Sequence, residues 1–369
     1  MKTILLPEAL GTEKSVAIED AIMLKGVNCT AGSKILHNYF SPLTAVVVEK
    51  LSDAGYSIAG TVQMDEFGLD RVSADRTETQ SGAVESVASE QTHFALGNDL
   101  SGKLRRQAPE AGLCYLHPTY GTVSRYGLVA AAASMDQIGV VAKTPDKAFE
   151  LLSIIAGYDN RDGAMLPDKA YTYIPVDAAK VCVPANLWAG AKTEDKEALA
   201  KFSTKFETEQ IDLPYFEHYS AVQYILASAE ISNNISRFDG IKFGHRAENY
   251  RGLHELYTKS RTEGFDLEAK LCAILGCLVL SQDYYKPYYD KAMRLRRMIR
   301  DSISFDGYDL MVLPARLEGT PFEQSAVYAA ATLAGLPALS FPFEGGVLQL
   351  ISAQKCEKFL YSAWEVASR

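Results

Sequence analysis

Along most of the chain, short runs of small and β-branched residues alternate with stretches whose apolar residues recur every three or four positions. The first pattern predicts strands and the second amphipathic helices. Residues 44–54 carry Val47, Leu51 and Ala54 on one helical face, with Gly55 set to end the helix as a C′ residue, and residues 57–62 follow as a strand. Thr144 is placed to cap a helix with Pro145 at its first position, and Ala148, Leu151, Leu152 and Ile155 line one side until Gly157. A strand over 180–184 leads into a helix from about Thr193. Residues 219–236, 251–262 and 266–281 give three more helices, the last expected to be buried through Leu267, Leu271, Leu275 and Leu278. Late strands are expected over 310–314, 338–342 and 347–352.

This rhythm predicts an α/β fold in which helices cover both faces of a central sheet. The polar loop 159–172 lies inside it, and no repeat or interdomain linker breaks it, so one domain over 1–369 is expected. At 47% hydrophobic and 22% charged residues, the 369-residue chain has the composition of a soluble globular protein and not of a disordered or fibrous one. Its net charge of 37 − 46 = −9 argues against a general field for nucleic acid or anionic membrane. No run reaches the ~18 apolar residues of a membrane span, and residues 1–10 show no secretory signal, so a cytoplasmic protein is expected. Six scattered cysteines (29, 114, 182, 272, 277, 356) without a CxxC pair, and histidines without HxH or HxxxH spacing, predict reduced thiols and no metal site.

Residues 97–139, GNDLSGKLRRQAPEAGLCYLHPTYGTVSRYGLVAAAASMDQIG, carry the most specific signal. With VAIEDAI (16–22), KGVNCTAGSKIL (25–36), MDEFG (64–68), RFDGIKFGHRAE (237–248), LSQDYYKPYYDKA (280–292) and GLPALSFP (335–342), this segment resembles the amidase signature family. HPTYG, VSRYGLV and SMDQIG are most similar to the A subunits of the glutamyl-tRNA(Gln) amidotransferases. The resemblance runs from about Val16 to the C-terminus. It implies an α/β/α sandwich around a large mixed sheet, N-terminally shortened, since only 18 residues precede Glu19. It also implies amide hydrolysis by a Ser–cis-Ser–Lys triad, with lysine as base, a bridging serine as relay and a second serine as nucleophile.

Carried over position by position, the resemblance puts Glu19 at the base, Thr79 at the bridging serine and Lys103 at the nucleophile. Gly97, Asp99, Gly102 and Arg105 hold the register, with Asp99 and Arg105 expected as a structural pair. A carboxylate cannot relay a proton as a neutral amine does, and an ammonium is no acyl acceptor. The swap of cation for anion at one site and hydroxyl for cation at the other predicts a Glu19–Lys103 salt bridge, with Asp99 as the competing partner. A non-proline cis bond costs ~2.5–4 kcal/mol, so a trans Glu78–Thr79 peptide is expected. Ser101 and Ser81, two residues from the matched positions, are the candidates for a shifted nucleophile. Leu271 and Cys272 replace two basic residues of the family's substrate-facing helix.

The basic run Lys291, Arg294, Arg296, Arg297, Arg300 is expected on a solvated helix with Leu295, Met298 and Ile299 inward, and Tyr284, Tyr285, Tyr288 and Tyr289 as packing residues. The picture is of a degenerate amidase-signature protein without hydrolysis and without a cofactor, acting in binding or assembly. Its expected partner is an amidotransferase-like protein or a second copy, with no direct nucleic-acid or membrane contact. The alternatives are a diverged amidase or glutamine-dependent subunit with a non-family catalytic set, and a purely structural subunit.

Overall fold

In the computed structural model, residues 12–69, 80–174, 176 and 180–369 are described, together with the two-residue strand Ile4–Leu5. Eleven strands form one sheet: β1 (Ile4–Leu5), β2 (Ser15–Glu19), β3 (Ser57–Val62), β4 (Phe94–Asn98), β5 (Cys114–His117), β6 (Ile138–Ala142), β7 (Lys180–Pro184), β8 (Glu207–Ile211), β9 (Leu310–Pro314), β10 (Ala338–Phe343) and β11 (Gly346–Ser352). Their order is β1-β3-β2-β4-β6-β5-β10-β11-β9-β7-β8. The sheet is mixed: β2 runs parallel to β3 and β4, and β7 to β8 and β9, while the central strands pair antiparallel.

Strands β2, β4 and β6 are buried along their whole length, so they read as continuous apolar runs without polar alternation. The period of two survives in where their side chains go. Val16, Ile18, Phe94, Leu96, Ile138 and Val140 join the larger core on one face, and Ala17, Ala95 and Val141 a smaller one on the other. On the smaller-core face lie α2 (Gly82–Ala88) and α3 (Lys103–Glu110); α1 (Val46–Asp53) and α4 (Pro145–Ile155) cover the opposite one. This is an α/β/α sandwich. Thr144 stands at the N-cap of α4, but its side chain makes no capping bond; Pro145 at the first position sets the helix start through its fixed φ.

Further helices are α5 (Ala185–Trp188), α6 (Thr193–Ser203), α7 (Tyr219–Asn234), α8 (Gly252–Gly264), α9 (Leu267–Leu280), α10 (Lys291–Ser302), α11 (Pro321–Gln324), α12 (Ala326–Ala334) and α13 (Glu357–Ser368). A π-helical turn, Tyr285–Asp290, joins α9 to α10.

Three expectations for this region are corrected. Helix α9 turns Ala269, Cys272, Gly276 and Val279 inward and leaves Leu267, Leu271 and Leu278 exposed. Met298 is exposed on α10, whereas Arg296 points inward, donating to Leu333 O at 2.9 Å and to Ser134 Oγ at 2.7 Å. Tyr284, Tyr285 and Tyr288 are exposed, and of the four tyrosines only Tyr289 packs against the core.

Candidate functional site

Parallel pairing of β2, β3 and β4 brings their C-terminal ends to one place, and the chemistry-bearing residues gather there. Glu19 ends β2. Asp65 lies in the turn after β3, and Asp99 to Lys103 form the link from β4 into α3.

The link is built around Asp99. Its Oδ1 accepts from Leu104 N at 2.9 Å and its Oδ2 from Arg105 N at 3.3 Å, so a carboxylate meets the free N–H groups of the first turn of α3. The same Oδ2 accepts from Arg105 Nε at 2.6 Å. Arg105 is wholly buried; its remaining guanidinium donors reach Tyr328 O at 2.8 Å, Thr332 Oγ1 at 2.9 Å and Asp99 O at 3.3 Å. A buried cation is tolerable only with this degree of pairing. Gly102, the N-cap of α3, sits at φ 95°, and a Cβ there would come within 2.2 Å of the Tyr328 ring.

Glu19 and Lys103 do not pair, which corrects the expected salt bridge. The Lys103 ammonium is bound to Asp65 Oδ2, and no ion pair within 4.0 Å joins it to Glu19. Asp99, the rival candidate, is taken up by Arg105. Glu19 Oε2 instead accepts from the backbone N–H of Asn98 at 2.9 Å. Burial pushes the Glu19 carboxyl up to about 8; the Asn98 bond and the nearby Lys103 charge oppose this, and Asp99 and Asp65 reinforce it. At neutral pH Glu19 is mostly a neutral acid. It lies against Gly97, where a Cβ would come 2.7 Å from its Cδ. The turn bearing Asp65 carries a second such group: Glu66, buried and accepting from Ser33 Oγ and from Asp266 N at 3.0 Å, is pushed up to about 7 by burial.

Both serines weighed as shifted nucleophiles are committed to structure. Ser81 caps α2, its Oγ accepting from Ala83 N at 3.2 Å, while its own N–H reaches Gln107 Oε1 at 2.8 Å. Ser101 Oγ donates to Gly68 O at 3.3 Å. Neither hydroxyl is bonded to an amine or imidazole among the described residues. Thr79 and the Glu78–Thr79 peptide lie outside the described residues.

The cavity enclosed by Glu19, Asp65, Ser81, Asn98, Asp99 and Lys103 has a volume of about 20 Å³, room for roughly one water. A separate apolar cleft of about 60 Å³ adjoins Ser101 between Leu100, Gln223, Tyr224, Cys272 and Phe322. Of the two positions that replace basic residues, Cys272 lines this cleft and Leu271 points to solvent. Burial raises the Cys272 thiol above its ordinary value, which keeps it protonated. Among the described residues no three His, Cys, Asp or Glu are grouped to hold a metal ion, and no helix is long and apolar enough to cross a membrane. The cysteines form no disulfide; four are buried, Cys277 is exposed and Cys356 lies between. The residues that sequence reasoning missed are Asp65 and Asn98. MDEFG marked Asp65 as part of a recognisable element, but nothing along the chain assigned it a partner.

Comparison with known proteins is consistent with this architecture. A family model described as Amidase matches residues 15–76 and 80–344. The chain is 34% identical to the A subunit of the glutamyl-tRNA(Gln) amidotransferase of Lachnoclostridium phytofermentans, over 89% of this chain and 74% of that one. It is likewise 34% identical to the Lactococcus lactis counterpart, over 96% of this chain and 82% of that one. The crystal structure of the Thermotoga maritima counterpart superimposes with a TM-score of 0.75 at 29% identity, covering 94% of this chain and 81% of its own. A structure described as part of a vestigial protein complex behind an s-triazine catabolic enzyme shares the fold, with a TM-score of 0.79 at 20% identity over 96% of this chain and 83% of that one.

Proposed function

From the premise that the chain belongs to the amidase signature family, we propose that it is a member without amide hydrolysis. It works in the cytoplasm as a binding or assembly protein, a single unit over 1–369, and engages a partner of the amidotransferase kind. One observation carries this reading. Where the family resemblance places base and nucleophile stand a buried, protonated Glu19 and a Lys103 already bound to Asp65, around a space for about one water. Among the described residues, such a site has neither an activated nucleophile nor room for a carboxamide. The relatives are named as subunits, which supports a role inside an assembly.

A second reading draws on Glu19 itself. A carboxylic acid held protonated near pH 7 has the property required of a general acid, and a diverged hydrolase would use it so with Ser101 as nucleophile. Ammonia release from glutamine, asparagine and simple carboxamides separates the two. Release at background, with no labelling by a fluorophosphonate, is the expected result. Turnover above background overturns the proposal, and its disappearance in Ser101→Ala or Ser81→Ala would identify the serine responsible.

A further inference from the structure

Helix α9 is packed inside out. Its inward face is made of small residues, and at Gly276 it approaches α7 so closely that a Cβ would lie 2.1 Å from Ser228 O. Its large apolar residues, Leu267, Leu271, Ile274 and Leu278, face solvent, with Ile274 68% exposed. Scattered exposed leucines are ordinary, but here they are concentrated. Among the described residues, ten of the eighteen exposed large hydrophobic side chains fall between Leu267 and Met298; four of them share one face of α9, and contiguous apolar surface marks an interaction site. The four seam residues are spaced four, three and four apart, the a/d pattern of a helix that packs against another helix.

That spacing reads the same in both directions, so the seam is complementary to itself when a second copy lies antiparallel, Leu267 meeting Leu278 and Leu271 meeting Ile274. The charges on either side of α9 fit the same arrangement. The segment 255–270, up to the end of its first turn, holds Glu255, Glu263, Asp266 and the buried Glu268, a net charge of −1 once Lys270 is counted with Lys259 and Arg261. Two of these cations are engaged within their own copy, Lys259 with Glu255 at 2.9 Å and Arg261 with Phe238 O at 2.7 Å. Beyond the other end, residues 281–302 hold six Lys and Arg against three Asp; Arg296 is turned inward, Arg294, Arg297 and Arg300 pair with Asp290 and Asp301, and Lys286 and Lys291 stand exposed. An antiparallel pair sets the acidic flank of one copy beside the basic flank of the other, whereas a parallel pair sets like against like.

We propose that two copies of this chain associate through α9, antiparallel about a two-fold axis midway along the Leu267–Leu278 seam. The pairing is isologous, so the interface closes at the dimer. It is independent of whether hydrolysis is lost.

Sedimentation velocity across a concentration series tests this. The wild-type chain is expected to be dimeric at about 10 μM, and Ile274→Glu to weaken association by about 100-fold or more; because Ile274 is exposed, the thermal transition of the variant should match that of the wild type at concentrations where both are monomeric. Lys291→Glu with Arg297→Glu should weaken the dimer, and adding Glu263→Lys with Asp266→Lys should restore it. A wild-type chain that stays monomeric at about 100 μM overturns the proposal, as does a dimer indifferent to Ile274→Glu. A monomer that co-sediments with anionic vesicles through the same face also overturns it. Charge reversal without effect would overturn the antiparallel register.

Discussion

The ammonium of Lys103, at the first position of α3, is bound to the carboxylate of Asp65 in the turn after β3, not to Glu19 at the end of β2. Lys103 and Asp65 are mostly buried, with side-chain exposures of 11% and 21%. Asp65→Asn is therefore expected to cost more than the ~1 kcal/mol of a surface pair and less than the ~3–5 of a fully buried one. Lys103→Met added to it should recover part of that loss. Urea melts of the two single variants and the double variant measure the coupling; additive losses would rule it out.

Glu19 gives stability a pH dependence of definite sign. Its folded-state carboxyl is raised from an ordinary 4.5 to about 8. The native state thus holds the proton more tightly than the unfolded chain. This contribution is fully present below pH ~4.5 and is lost as pH rises through about 8. Glu66, raised to about 7, acts in the same direction. Glu19→Gln keeps the acceptor for Asn98 N–H without the ionisation. Its melting temperature relative to wild type should rise between pH 5 and pH 9, and a constant difference would refute the assignment.

Arg105 has no exposed surface and ties α3 to the β4–α3 link through Asp99 and to α12 through Tyr328 and Thr332. Arg105→Met strands the Asp99 carboxylate and is expected to cost ~3–5 kcal/mol or prevent folding; Asp99→Asn in the same chain should relieve part of the loss. Expression yield and denaturant midpoints give the comparison. Tolerance of Arg105→Met within ~1 kcal/mol would show that α3 is held by packing alone.

How far the sequence can be read depends on what burial does to its pattern. The strands at 57–62, 180–184 and 310–314 occupy those same residues in the structure, because runs bounded by polar turns leave little choice of ends. The placement of Asp99, Gly102 and Arg105 was legible for a related reason: all three lie within seven residues of chain, from the β4–α3 link into the first turn of α3. Helix α9 was misread because it is apolar on every side, so periodicity cannot choose between its leucine face and its Ala-Cys-Gly face, and close approach to α7 favours the smaller. The partner of Lys103 was illegible for a different reason. Glu19, Asp65 and Asp99 follow three neighbouring strands, and only the turn geometry decides which carboxylate an ammonium reaches.

Restoring the family's residues by Glu19→Lys, Thr79→Ser and Lys103→Ser is not expected to restore ammonia release. The side chains at positions 19 and 103 would enter a space of about 20 Å³, and a serine at position 103 would lose the contact that Lys103 now makes with Asp65. Activity in the triple variant would show that only reagents, and not walls, had been lost.

Gly102 tests whether the start of α3 is fixed by backbone geometry. Its φ of 95° lies where side chains are rarely accommodated, and a Cβ would fall 2.2 Å from Tyr328 Cγ, in a ring that is itself buried and bonded to Ala315 O. Gly102→Ala therefore combines a left-handed backbone penalty of ~1–2 kcal/mol with a clash that only movement of α12 can relieve. Shrinking the obstacle should help: Tyr328→Ala removes the ring but leaves its carbonyl, the acceptor for Arg105, in place. Gly102→Ala in the Tyr328→Ala background should cost less than in the wild type, the remaining loss being the backbone term. Equal costs in the two backgrounds would show that the ring does not bear on the glycine.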